Sequence, residues 1–316
     1  MNPLFAHTHT HSEYSLRDAI TSPEAMMKKA AEYQMGISLT DHGTLAGIWK
    51  AAKYAKKYGV KFSPGIEVYV VPDIVKCRGK EWSSKGKSAH LVLNAVDTRG
   101  WENLLKLNTR SNSEGFYCQP RVDYKMLREH ADGVWASSAC LGGCLAKAWR
   151  AGQSVHLLAE LLREIYGERF SLEIQLNNRE EQESFNEVLF QVSRDTRIPL
   201  IATVDSHYLE KSDSHKQDLV FCLGIDKLLN DPERHRYPPE AHSLETPDDV
   251  IKKFVTRYGA IGEKAINRTL DLINEVSVTL EIESKNYKMP TVSIAEMEDY
   301  NEFLLWKEAL LKSSRI

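Results

Sequence analysis

Three histidines alternate with threonines near the start of the chain, in His7-Thr-His9-Thr-His11. On an extended strand, residues two apart point to one face, so His9 and His11 can converge on one ion. The interleaved threonines and the structured-looking sequence that follows argue against an affinity tag. Thr40-Asp41-His42-Gly43 comes directly after a short apolar run, which places His42 at a strand end with Asp41 beside it to orient a ligand. Glu67 stands inside the mostly apolar stretch Phe62–Val71, where a carboxylate is costly to bury unless it pairs or binds a cation. A carboxylate can also bridge two ions, which an imidazole seldom does. His90 opens the apolar run His-Leu-Val-Leu. Cys140 sits in Ser-Ser-Ala-Cys140-Leu-Gly-Gly-Cys144, and a thiolate is a good zinc ligand. No second cysteine pair exists, so the CxxxC spacing is not a zinc finger, and Cys144 is expected to pack on the following helix. Asp205-Ser-His207 repeats the two-apart spacing of His9 and His11. Each signal alone has a bland counterpart in a hydrogen-bonded core residue. Their common placement, mostly at one end of successive strands, does not.

The elements that would position these residues alternate. Strands are expected over Leu4–His11, Gly36–Thr40, Lys61–Val71, His90–Ala95, Gly133–Ser137, Phe170–Gln175 and Pro199–Val204. Helical patterns lie between them, such as Pro23–Gln34, capped by Ser22 with Pro23 at the first helical position, and Leu45–Lys57. Repeated β-then-α order predicts parallel strands with helices outside, closing into a barrel whose site lies at the C-terminal strand ends. Two segments interrupt the pattern, the basic loop Lys76–Ser88 and the Pro-rich Asn230–His242. Helices are expected again at Pro247–Arg257, Ile261–Val278 and Asp299–Lys312.

Composition bounds the function. The chain has 316 residues, with 41 Lys and Arg against 44 Asp and Glu, a formal net charge of −3. That balance excludes a protein that coats nucleic acid by bulk charge, so any role on DNA must come from a site. The sequence carries no apolar run of transmembrane length and no signal-peptide pattern. Five cysteines, an odd number, suit reduced thiols. The expected location is the cytoplasm, with no membrane partner.

The motifs HTHTHSEYSLRDA, LTDHG, GIEVYV, HLVLNA, SSACLGG and TVDSHY together resemble the polymerase and histidinol phosphatase (PHP) family. The resemblance covers about residues 4–285 and is closest to the branch that opens bacterial DNA polymerase III alpha subunits, on Glu114–Arg121, Leu127–His130 and Asp231–Tyr237. It implies an α/β fold, a distorted (β/α)7 TIM-like barrel over residues 1–285 with an irregular segment near 226–245, and a metal site at the C-terminal strand ends. It implies up to three divalent ions (zinc, manganese or iron) on His9, His11, Asp18, His42, Glu67, His90, Cys140, Asp205 and His207. One ion would take His9, His11, Glu67 and Asp205, the expected catalytic set holding a hydroxide. A second would take Glu67, His90 and Cys140, and a third Asp18, His42 and His207. Ala19 stands where glycine usually follows the aspartate, and Asn177-Asn178 where His-Gly is common. The implied activity is metal-dependent phosphoester hydrolysis of the 3′→5′ exonuclease kind, in DNA replication or proofreading, on a DNA 3′ end. The competing readings are a non-catalytic scaffold that binds a polymerase or proofreading nuclease, and a histidinol-phosphatase-like small-molecule enzyme. Lys85, Lys87 and Arg121 are candidate phosphate contacts. The tail 286–316 resembles the lead-in to a polymerase palm, and its helix is a candidate docking surface for the remaining polymerase chain or subunit. The polymerase carboxylates are not expected within this sequence.

Overall fold

The computed structural model describes residues 3–82 and 87–280. Lys85 and the expected tail 286–316 with its helix lie outside the described residues. The described strands are β1 Phe5–His7, β2 Met35–Leu39, β3 Phe62–Val70, β4 Ala89–Ala95, β5 Arg121–Val122, β6 Val134–Ser137, β7 Phe170–Gln175 and β8 Leu200–Thr203. The helices are α1 Pro23–Glu32, α2 Ile48–Tyr58, α3 Thr98–Ser113, α4 Tyr124–Glu129, α5 Cys144–Arg150, α6 Val155–Tyr166, α7 Glu180–Thr196, α8 Ser214–Ile225, α9 Pro247–Tyr258 and α10 Ala260–Glu275.

Period-two alternation decides which side of each strand does what. Met35, Ile37 and Leu39 of β2, Ile66, Val68 and Val70 of β3, and Phe170, Leu172 and Ile174 of β7 join one apolar core. Their alternates Ser38, Glu67 and Glu173 point the other way and are buried polar residues. The barrel lumen is therefore polar, and it is hydrogen-bonded. Ser63 donates to the Ala95 carbonyl at 2.9 Å, Asn94 to the Thr8 carbonyl at 3.2 Å and Ser137 to Glu173 at 2.7 Å.

Seven strands run along one path, β1-β2-β3-β4-β6-β7-β8, with β5 beside β3. The two ends meet just past β1 and β8, where Thr10 and Ser206 form a parallel bridge and the His11 N–H donates to the Ser206 carbonyl at 2.8 Å. The sheet is thus a nearly closed barrel of the expected kind. α10 packs along β8, β1 and β2. There the Ala6 N–H, on the outer edge of β1, donates to the Thr269 hydroxyl at 3.2 Å. Ser22 caps α1 as its sequence suggests, accepting from the Ala25 N–H. No described helix is long and apolar enough to cross a membrane.

The expectation of uniformly parallel strands is corrected. β4 runs antiparallel to both β3 and β6. Among the described residues no α-helix separates β3 from β4, so the chain returns without the crossover that a parallel pair needs. The inversion carries the start of β4, where His90 lies, to the rim formed by the C-terminal ends of the other strands.

Candidate metal centre

His9 and His11 lie beyond the short β1, on the segment that bridges to β8. The intervening Thr10 fastens that segment to β2, with its hydroxyl donating to the Ser38 carbonyl at 2.6 Å and its N–H to the Thr40 hydroxyl at 3.0 Å. Fixed in this way, the two imidazoles meet with their Nε2 atoms 3.1 Å apart. His7 turns elsewhere and contacts the Glu245 carbonyl at 2.9 Å. Burial pulls its pKa down to about 4, so it is a neutral core histidine.

Glu67 is the centre of the cluster. Its two carboxylate oxygens lie 3.5 Å from His9 Nε2, 3.6 Å from His11 Nε2, 2.5 Å from His42 Nδ1 and 2.9 Å from His90 Nδ1. Asp205 Oδ1 is 3.3 Å from both His9 Nε2 and His11 Nε2, and 3.6 Å from His207 Nδ1. Asp18 Oδ2 is 3.1 Å from His42 Nε2 and 3.6 Å from His207 Nε2. Close as they are, Glu67 Oε1 and Oε2, His42 Nδ1, His90 Nδ1, Asp205 Oδ1 and His207 Nε2 are buried without an aligned hydrogen bond. Buried polar atoms are nearly always satisfied. Converging orphan donors of this chemistry are what ligands sharing a cation present, so the residues fit divalent ions. The compact groupings are His9, His11 and Glu67; His42, Glu67 and His90; His11, His42 and His207; and Asp205, His207 and His242. Cys140 belongs to none of them. It is half-buried, and its Sγ accepts from the Gly142 N–H at 3.4 Å.

Electrostatics follow from this crowding. Burial alone would raise Glu67, but the imidazoles of His90 and His42 outweigh it and hold the carboxyl well below its usual range. Burial would lower His9, yet Asp205 and Glu173 push it well above the ordinary histidine value. His42 and His207 are raised against burial in the same way, His42 by Tyr69 and Glu67, His207 by Asp18 and Asp205. Burial, with the Asp205 and Glu67 charges, keeps the Cys140 thiol protonated.

The supporting residues were partly legible. Asp41 does not touch an imidazole directly. It accepts from the Ser12 N–H at 2.7 Å and the Ser15 hydroxyl at 2.7 Å, and Ser15 Oγ lies 3.1 Å from His11 Nδ1. Its orienting action therefore runs through Ser15. Glu173, missed from sequence, sits 2.7 Å from His9 Nδ1 and gathers the hydroxyls of Ser137 and Thr203. Its signal was the one that marked Glu67, a carboxylate inside an apolar strand. His242 was also missed. Its Nδ1 lies 3.0 Å from the Asp205 carbonyl, and Nε2 is buried with no partner.

The phosphate candidates fare differently. Arg121 is buried, with Nε donating to the Gly115 carbonyl at 3.1 Å and Nη1 to the Cys77 carbonyl at 2.5 Å. Its guanidinium is used inside the fold, which corrects the expectation that it meets phosphate. Lys87 is exposed just before β4. Arg179, not anticipated, stands at the start of α7 with its guanidinium 5.6 Å over the Tyr237 ring, and that ring lies 5.8 Å from His207.

The profile of the PHP domain matches residues 7–177, more than half of the chain. The chain belongs to the PHP family. Curated relatives include the DNA polymerase III subunit alpha of Thermus aquaticus, 32% identical over 95% of this chain and 25% of that protein. Its counterpart in Borreliella burgdorferi is 34% identical over 79% of this chain and 22% of its own length. The chain thus spans about a quarter of the length of these relatives. Among solved structures, a Bifidobacterium adolescentis protein provisionally designated a metal-dependent phosphoesterase is 15% identical, with a TM-score of 0.40, over 66% of this chain and 89% of its own.

Proposed function

We propose that this PHP chain is a metal-dependent phosphoesterase that removes nucleotides from the 3′ end of DNA. The observation that carries the metal dependence is the set of buried, unsatisfied atoms around Glu67, from His42, His90, His207 and Asp205. His9, His11, Glu67 and Asp205 would hold one divalent ion, Glu67, His90 and Cys140 a second, and Asp18, His42 and His207 a third. Bound there, such ions supply hydroxide from water near neutral pH and neutralise phosphate oxygens.

The chain's own residues do the rest. Glu67 keeps the imidazoles of His9, His11, His42 and His90 within reach of one another. Glu173 fixes the ring of His9, and the Asp41–Ser15 pair fixes that of His11. Arg179, Lys87 and Lys85 are the side chains proposed to meet backbone phosphates. The choice of DNA rests on the polymerase relatives and on the need for a site, not bulk charge, to attract it. The same relatives support a polymerase chain or subunit as partner, and the cytoplasm as location.

A 3′-labelled single strand incubated with Zn²⁺ or Mn²⁺ tests the reading. Stepwise release of labelled mononucleotide is expected from the wild type, stopped by chelator and absent from Glu67→Gln. Equal release by both proteins, or none by either, would contradict it.

A further inference from the structure

A cleft of about 690 Å³ opens on the outer side of the metal centre, where Asp18, His42 and His90 form part of its wall. That volume lies within the range of ~300–1,000 Å³ typical of sites for whole small molecules, and it exceeds what a lone phosphate needs. Four aromatic side chains, Tyr14, Tyr69, Phe116 and Phe221, line it beside aliphatic Leu16, Pro120 and Ile225. Tyr69 stands 5.4 Å from His90 by ring centroids. Phe116 is 53% exposed although it lies on the cleft. Phe221, on α8, packs against Tyr237 at 4.9 Å. Asp18 is the single carboxylate among the described lining residues, and Arg17, exposed and with no side-chain partner among the described residues, is the single arginine. Thr44, Cys118 and Gln119 add polar side chains to the lining, and the four aromatic rings are the groups in it that can stack on any base.

We propose that this cleft is a base-stacking subsite, taking the unpaired terminal nucleobase of a single-stranded end while the adjoining phosphodiester faces Asp18, His42 and His90. The identity of the reacting group rests on the phosphoesterase reading above. The subsite itself stands on the cleft. It recognises bases without preference for sequence, because every base has a π face. Arg17 at the mouth meets the next phosphate along the strand.

The test uses the full chain with Mn²⁺ and an oligonucleotide carrying 2-aminopurine at its 3′ terminus, beside the same strand ending in an abasic residue. The terminal linkage is a phosphorothioate to slow cleavage. Quenching of the 2-aminopurine and binding at least about fivefold tighter than the abasic strand are expected, the lower end of what one stacked base contributes. Phe116→Ala and Phe221→Ala each reduce the quench and the discrimination, while Phe116→Trp retains both. Far-ultraviolet circular dichroism of each variant checks its fold, and Phe116, being half exposed, is truncated without opening the core. Equal affinity for the two strands, no binding of either, or a quench indifferent to both alanine variants would overturn the subsite. Release of 3′ label is read separately. Quenching without release keeps the subsite and sinks the exonuclease, whereas release without discrimination does the reverse.

Discussion

At the scale of the residue, the chemistry depends on which buried groups hold protons before a cation arrives. The carboxyls of Glu67, Asp18 and Asp205 are held low by neighbouring imidazoles against the pull of burial, so they are already ionised at neutral pH. His9, His42 and His207 are held high and Cys140 higher, so protons sit on nitrogen and sulfur. Loading a cation must displace them. Metal uptake at pH 7 in weak buffer is therefore expected to release protons, and apparent affinity to rise with pH through the raised histidine values and to fall in acid. Uptake without proton release, followed with an indicator dye, would contradict this. Glu173→Gln removes the charge that orients His9 and is expected to weaken metal binding about 10- to 100-fold, measured by chelator competition. Eight of the nine expected ligands lie in contact in the structure; two-apart spacing had marked His9, His11, Asp205 and His207, and strand context His42, Glu67 and His90. Asp18 came only through the family motif, because nothing local distinguishes an aspartate in a surface loop. His242 gave no local signal either, since its approach to Asp205 is set by a long irregular connection. The role expected of Arg121 failed for a different reason. An arginine reads the same in sequence whether it binds phosphate or ties down carbonyls.

At the scale of the element, strand alternation was legible because apolar and polar residues trade places at period two, as in Phe170–Gln175. Direction was not legible. The pattern of His90–Ala95 is the same read either way, and only the missing crossover helix distinguishes an inverted strand. The inversion places His90 beside Glu67, at 2.9 Å. Gly142 permits this placement, since a Cβ there would lie 3.0 Å from His90 Nδ1. Gly142→Ala is expected to displace His90 and reduce metal occupancy while leaving the unfolding midpoint of the chelated protein nearly unchanged. The packing of α10 on the outer edge of β1 includes one buried hydrogen bond, from the Ala6 N–H to the Thr269 hydroxyl. Thr269→Val leaves the Ala6 N–H buried without a partner, and is expected to cost about 1–3 kcal/mol in urea unfolding. A cost near zero would mean that this bond does not hold α10 against β1.

At the scale of the whole molecule, the barrel follows from alternating elements, and the centre from loops that converge at one rim. Several of those loops turn through left-handed backbone, at Arg17 before Asp18, at Gly43 after His42, at Ala139 before Cys140 and at Asp205 itself. Such positions are uncommon outside glycine and concentrate where structure serves a site. The chain matches about a quarter of the length of its polymerase relatives, so joint action with the remainder of a polymerase is a matter for experiment. The centre can be tested without it. Metal content of the dialysed protein, wild type beside Glu67→Gln, is the most direct measurement. At least one tightly held divalent ion per wild-type chain and a large loss from the variant are expected. Equal content in both, or none in a wild type exposed to zinc, manganese and iron, would contradict it.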